Sequence, residues 1–309
     1  MMSKQSFAEF AGITLHQRET KPRHAGVSMI IDTGYSLPVV SGVLEQFGHL
    51  VDIVKLTELH LTAPLDVIRA KIDLYRKAGV SVQPGGIVVE IARLQGKELQ
   101  VLKSLKQMGF DAIEVSSSST TQRERDAEAR FVNNVKNAGF TVYGEVGKKF
   151  PQDDKTRRSD TELDIDETIA QIETLLEGGA QKVYWEGHVL RRIMGDNASD
   201  ILARYPLATQ QVKKVVDAIG QDKLIFEVSS MIPYIHRRAQ QFWMVRNFGP
   251  DVNIGNIRLD EVQFMEHIRL GTWPVFGFGS IGDHPYMHSL EVNAGVATPT
   301  WWTDIPISA

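Results

Sequence analysis

Four glutamates recur at matching places in four short apolar runs: Glu114 in AIEVS, Glu145 in YGEVG, Glu186 in YWEG and Glu227 in IFEVS. A carboxylate inside an apolar strand is costly to bury unless it is paired or metal-bound, so four in register point to a shared centre. Oxygen ligands that converge suit a hard divalent cation, Mg²⁺ or in its place Mn²⁺. Asp32, which closes the run VSMIID, is a fifth candidate ligand. Lys55, in VDIVKL, and Lys148, in GEVGKK, bring ammonium groups to the same rim. Either could stabilise an anion or move a proton, with Glu145 as a third candidate catalytic group. Lys55 also permits Schiff-base aldolase chemistry. The plainer alternative is that each glutamate pairs with Lys or Arg as a buried support.

Gly85–Gly86, after Pro84, and Gly255–Asn256 expose backbone N–H groups of the kind that bind phosphate. With Ser116 and Asn253 they complete the candidate substrate-binding set. His24, His60 and His188 stand alone in expected loops, and His284 and His288 fall in an irregular stretch, GDHPYMHSL. The chain has no HExxH zinc helix and no Gly-x-Ser-x-Gly elbow. It contains no cysteine, which excludes disulfides, zinc–thiolate sites, iron–sulfur clusters and thiol nucleophiles.

The elements that must position these residues alternate along the chain. Apolar, β-branched runs at 27–32, 51–56, 80–83, 112–116, 141–146, 183–186, 224–229 and 252–257 predict strands. Amphipathic stretches at about 38–47, 64–78, 88–108 (broken near Gly96), 122–137, 166–177, within 199–219, 235–247 and 260–269 predict helices. Eight strand–helix units in roughly 250 residues match a single (β/α)₈ TIM barrel. No Gly-x-Gly-x-x-Gly follows the first strand, which weakens a dinucleotide-binding open sheet. The expected organisation is an N-terminal extension over 1–20, the barrel over 21–272, and a tail over 273–309 rich in Gly, Pro and aromatics. That tail reads as a segment packing on the barrel or on a neighbouring subunit, which favours a homo-oligomer. Residues 147–164 read as a polar loop.

The 309 residues carry 34 Lys+Arg against 38 Asp+Glu, a formal net charge of −4. A mildly acidic balance argues against a nucleic-acid partner. No run approaches the ~20 apolar residues of a membrane span, and the opening lacks a secretory signal, so a cytoplasmic location without membrane attachment is expected. The expected partners are small anionic substrates.

The segments KPR (Lys21–Arg23) before MIIDTG, VDIVK, QPGG followed by Glu90, GFDAIEVS, GEVGKK and VNIGNI, in this order from about Lys21 to Leu270, together resemble phosphosulfolactate synthase. AQQFWMVRNFGPDVNIGNI is similar to the family's stretch across the seventh helix and eighth strand. The resemblance implies a (β/α)₈ barrel and a Mg²⁺-dependent addition of sulfite to phosphoenolpyruvate, giving phosphosulfolactate on the way to coenzyme M. It implies roles for Asp32, Lys55, Glu114, Glu145, Lys148, Glu186 and Glu227, with Lys148 as proton donor and Asn253 and Asn256 near the phosphate. Departures concentrate in loops: Thr33 in place of a lysine, LTELHL after VK in place of a Gly-Trp-Gly loop, Gly187–Arg191 in place of Ala-Arg-Glu-Ser-Gly, and Gly271–Pro274 in place of Gly-Leu-Arg-Gly-Asp-Thr. Two other readings stay open. One is a barrel lyase or aldolase using a metal-stabilised enolate on another carboxylate; the other is a non-enzymatic, stress-associated barrel protein.

Overall fold

The computed structural model describes residues 6–272, apart from 122–123, 151–152 and 231. Eight parallel strands, β1 (Ser28–Asp32), β2 (Ile53–Leu56), β3 (Ser81–Pro84), β4 (Ala112–Val115), β5 (Thr141–Val146), β6 (Lys182–Trp185), β7 (Leu224–Glu227) and β8 (Ile254–Arg258), form one sheet. The ladder runs β3-β2-β1-β8-β7-β6-β5-β4, each strand beside its sequence neighbours with β1 against β8. At the remaining seam, the Asp111 N–H donates to Val82 O at 2.9 Å and the Asp111 carboxylate accepts from the Val82 N–H at 3.1 Å. The result is a (β/α)₈ barrel.

Strand residues alternate between two apolar layers, as a period of two requires. Met29, Ile31, Ile53, Ala112, Tyr143, Tyr184 and Ile225 pack together in one cluster, the barrel interior. Their neighbours Ile30, Val54, Ile113, Val142, Val183 and Phe226 join the larger cluster against the helices. The helix Leu65–Lys77 shows how the outer layer is built. It starts after Pro64, buries Ile68, Lys71, Ile72 and Tyr75 at helical spacing, and stops before Gly79, whose φ is +68°.

The expected break near Gly96 separates helices Gly86–Leu94 and Glu98–Met108. Some elements were not expected. A helix, Gly187–Met194, starts directly on Glu186, and the polar loop folds back as an antiparallel ribbon of Arg157–Ser159 with Glu162–Leu163. The N-terminal extension is tied to the base by Arg18, which donates to Gly26 O at 2.7 Å and pairs with Glu266 at 2.7 Å. The aromatic tail lies outside the described residues from Trp273 onward, as do His284 and His288. No helix among the described residues is long and apolar enough to cross a membrane.

Asn253, expected at a phosphate, instead fastens the base. Its side chain accepts from the Val27 N–H and donates to Leu224 O, both at 2.9 Å and all buried. It lies two residues below Gly255, roughly 6–7 Å short of the mouth. Asn253→Ala orphans both backbone groups and should cost about 2–6 kcal/mol, at about 1–3 per buried unsatisfied group. Urea unfolding reads this directly; a loss below about 0.5 kcal/mol would show that Asn253 does not hold the base.

Candidate active site at the barrel mouth

At the C-terminal ends of the strands, parity decides which side chains enter the barrel. Lys55 shares the inward face with Ile53, Glu114 with Ala112, Glu145 with Tyr143, and Glu227 with Ile225; Glu186, just past β6, continues the face of Tyr184. All five are buried. Four of them, Lys55, Glu114, Glu186 and Glu227, line a cavity of about 150 Å³ together with Lys149, Gly85, Gly86 and Asn256.

The floor is a connected polar chain. The Tyr184 hydroxyl donates to Gln83 Oε1 at 3.2 Å, and Gln83 Nε2 donates to Glu114 Oε2 at 3.2 Å. Lys55 Nζ lies 2.7 Å from both Glu114 Oε2 and Glu227 Oε1, and 4.9 Å from the centre of the Tyr184 ring. Opposite it, Lys149 Nζ lies 3.1 Å from Glu186 Oε2 and 4.0 Å from Glu145 Oε1. Gly86 makes room for this packing, since a Cβ there would meet Glu114 Oε1 at 2.3 Å and Ser116 Oγ at 2.6 Å.

Four carboxylates thus share two ammonium groups. Both oxygens of Glu145 are buried without a hydrogen-bond partner. Burial and the fields of Glu114, Glu186 and Glu227 push the Glu145 carboxyl well above its usual range, although Lys149 opposes this. Burial likewise carries Glu227 up to about 7, with Lys55 opposing and Glu186 and Glu114 adding to the rise. Burial disfavours the charged form of each lysine, yet the surrounding carboxylates hold both ammonium groups well above their ordinary pKa. Oxygens of Glu114, Glu145 and Glu227 lie within 4.8 Å of one another, a buried acidic triad that could hold a metal ion. The orphaned Glu145 oxygens fit that use, because a cation supplies the partner the protein lacks.

The remaining sequence candidates divide. Asp32 was expected among the metal ligands, but its parity is that of Ile30, so it faces the helix layer rather than the lumen. There it takes Lys71 Nζ at 2.8 and 2.9 Å and the Tyr75 hydroxyl at 3.0 Å, with His60 Nε2 at 3.4 Å. Lys148 was expected as proton donor, but its Nζ donates to the backbone of Thr120 outside the cavity lining, and Lys149 enters the mouth instead. The Ser116 hydroxyl donates to Glu90 Oε1 at 2.6 Å. Gly255 is paired with Glu227 across the sheet, and a Cβ there would meet Met29 at 2.8 Å, so it serves packing inside the barrel. Asn256 does reach the mouth, at φ +54°, and Arg237 Nη2 donates to its carbonyl at 2.7 Å.

Residues 16–274 match the family described as (2R)-phospho-3-sulfolactate synthase (ComA). The chain belongs to the phosphosulfolactate synthase family. It is 30% identical over 257 residues to the phosphosulfolactate synthase of Methanothermobacter thermautotrophicus, covering 82% of this chain and 92% of that one. Identity to the enzyme of Methanocaldococcus jannaschii is 32% over 258 residues, covering 80% and 91%. The Bacillus subtilis protein of the same name is 26% identical over 262 residues, covering 84% and 95%. Among solved structures, the carboxyl transferase domain of Rhizobium etli pyruvate carboxylase superposes with a TM-score of 0.51 at 10% identity, over 78% of this chain and 41% of that one. That likeness concerns the fold alone.

Lys149, Glu90 and Arg237 were not singled out from the sequence as site residues of this family member. Glu90 is buried and anchors the loop after β4 through Ser116 and the Ser119 N–H, which donates to its Oε2 at 3.1 Å. That loop in turn receives Lys149 Nζ on Ser118 Oγ at 2.7 Å. Arg237 ties the loops after β7 and β8 together through Ser229 O, Asn256 O and a buried pair with Glu261 at 2.7 Å. Its helix, Tyr234–Phe248, is buried nearly all round, so no stripe marks Arg237 out.

Burial alone would raise the Asp32 pKa, but hydrogen bonding from His60, Lys71 and the Gly34 N–H brings it from 3.8 to about 2. A depressed acid contributes stability above its unfolded value and loses it as pH falls through the folded one. Asp32→Asn should therefore cost about 2 kcal/mol at neutral pH. Its deficit against the wild type in urea unfolding should shrink as pH falls from about 4 towards 2; a deficit that stays constant over that range would contradict this role.

Proposed function

We propose that the chain catalyses Mg²⁺-dependent addition of sulfite to phosphoenolpyruvate, giving phosphosulfolactate. The observation that carries this reading is the mouth itself, where a buried carboxylate triad with an orphaned glutamate stands beside a lysine in a chain of this family. In the reaction the sulfur lone pair forms a bond to C3, and the C2–C3 π electrons move toward C2 and the carboxylate. C2 then takes a proton, while the phosphate ester stays intact. Glu114, Glu145 and Glu227 would hold the metal. A divalent cation there supplies positive charge against a neighbouring substrate anion and offsets the field that keeps the Lys149 proton tightly held.

The residues of the chain do the rest. Lys149, aimed into the cavity from the loop after β5, is the group we assign to protonate C2. Lys55 is locked between Glu114 and Glu227, which suits a fixed positive charge on the floor better than a nucleophilic amine. Schiff-base chemistry needs a neutral amine, and two carboxylates at 2.7 Å oppose it. Gly85, Gly86 and Asn256 leave the rim open for an anionic group, and the helix Gly86–Leu94 starts there.

One observation favours a second reading. Glu58 also lines the mouth, in the LTELHL segment that departs from the family. An added carboxylate there suits a substrate with less negative charge, handled by the same metal-assisted chemistry.

Incubation of the metal-loaded full chain with phosphoenolpyruvate, sulfite and Mg²⁺ should yield phosphosulfolactate by mass spectrometry, and chelation should abolish it. Lys149→Met should fold normally and lower turnover by about 10²–10⁴-fold, while Lys148→Met should stay within a few-fold of wild type. No product from folded, metal-loaded protein would overturn the sulfite reaction in favour of the second reading. Near-normal turnover of Lys149→Met would remove that residue from the mechanism.

A further inference from the structure

The opposite end of the barrel holds a second cavity, of about 260 Å³, where the starts of β2, β3, β5 and β6 converge. Its wall is cationic. Lys21, Arg23 and Lys182 line it, and Asp52 is the one carboxylate among the lining residues. Asp52 is already committed, taking Arg23 Nη1 at 2.8 Å and the Ser28 N–H at 2.9 Å.

Lys21 and Lys182 have no carboxylate partner within ion-pair distance among the described residues. Lys21 Nζ donates to Gly48 O at 3.1 Å and Ala78 O at 3.2 Å; Lys182 Nζ donates to His24 O at 2.8 Å and to the carbonyl of Asp222. An ammonium group has three donors, so each lysine retains one. Burial lowers both pKa values; Asp52 opposes this at Lys21 while Arg23 and Arg18 add to it, and Asp222 and Glu19 oppose it at Lys182 while Lys223 adds to it. The positive charge here is undercompensated, the converse of the mouth.

Tyr143 provides an independent observation. Its ring lies inside the barrel against Tyr184, with centroids 5.3 Å apart, and the residue is 6% exposed. It lines the base cavity, yet its hydroxyl makes no hydrogen bond among the described residues. The ring is packed inside the barrel while the residue opens onto the cavity, so the hydroxyl can serve a bound group. A free hydroxyl and two lysines with a donor each to spare line the same cavity, which describes a place for an anion.

We propose that the base cavity binds a small tetrahedral oxyanion, phosphate or sulfate or the phosphate group of a small ester, through Lys21, Lys182 and the Tyr143 hydroxyl. This site is separate from the mouth and does not depend on the reaction assigned there.

Isothermal titration calorimetry on the full chain with inorganic phosphate, at fixed ionic strength, tests this. Saturable one-to-one binding is expected. Tyr143→Phe keeps the ring and removes only the hydroxyl, and should weaken binding about tenfold, the effect of one hydrogen bond to a charged group. Lys182→Met should weaken it at least as much, whereas the mouth variant Lys149→Met should bind as the wild type does. Repeating the titration with glycerol phosphate separates the two sources: equal affinity supports a site open to esters, and binding of inorganic phosphate alone supports a free oxyanion. Absence of saturable binding, equal binding in Tyr143→Phe, or binding lost in Lys149→Met instead would overturn the proposal.

Discussion

The mouth of this barrel concentrates negative charge where water is scarce. Glu114, Glu145, Glu186 and Glu227 are all buried, and among the described residues the ammonium groups paired with them are those of Lys55 and Lys149. Burying a carboxylate without a partner costs several kcal/mol, so the arrangement is costly as a scaffold, and its triad could hold a metal ion. Much of the surrounding architecture serves it. Gly86 yields space to Glu114, Glu90 and the loop after β4 support Lys149, and Arg237 binds the loops after β7 and β8 into one rim.

The glutamate ring was legible because strand parity is legible. Once Ile53, Ala112, Tyr143 and Ile225 are placed inside, the polar residues two positions on must follow, and the barrel brings them to one end. The same rule, applied to β1, puts Ile31 inside and Asp32 outside, so the outward direction of Asp32 was available from the pattern, though not its partner Lys71. Eight strand–helix units were equally readable, since short β-branched runs and capped amphipathic helices carry local signals.

Other features had no such signal. Lys148 and Lys149 are adjacent in a loop, where neither the helical nor the strand period dictates direction, and only the tertiary structure shows which one enters the mouth. Asn253 shares the inward parity of Gly255 but sits a layer lower, and depth along a strand depends on barrel stagger rather than on sequence pattern. Arg237 hides in a helix buried on all sides.

The two ends of the barrel are electrostatic opposites. Carboxylates exceed cations at the mouth, while Lys21, Arg23 and Lys182 exceed Asp52 at the base. The near-neutral net charge of −4 averages over this separation. The central claim, that the mouth is completed by a divalent cation, is tested most directly by titrating the metal-free chain with Mn²⁺ under electron paramagnetic resonance. The account predicts one saturable site in the wild type and its loss in Glu145→Gln, with the fold retained by circular dichroism. Equal Mn²⁺ binding by both proteins, or none by the wild type, would contradict it.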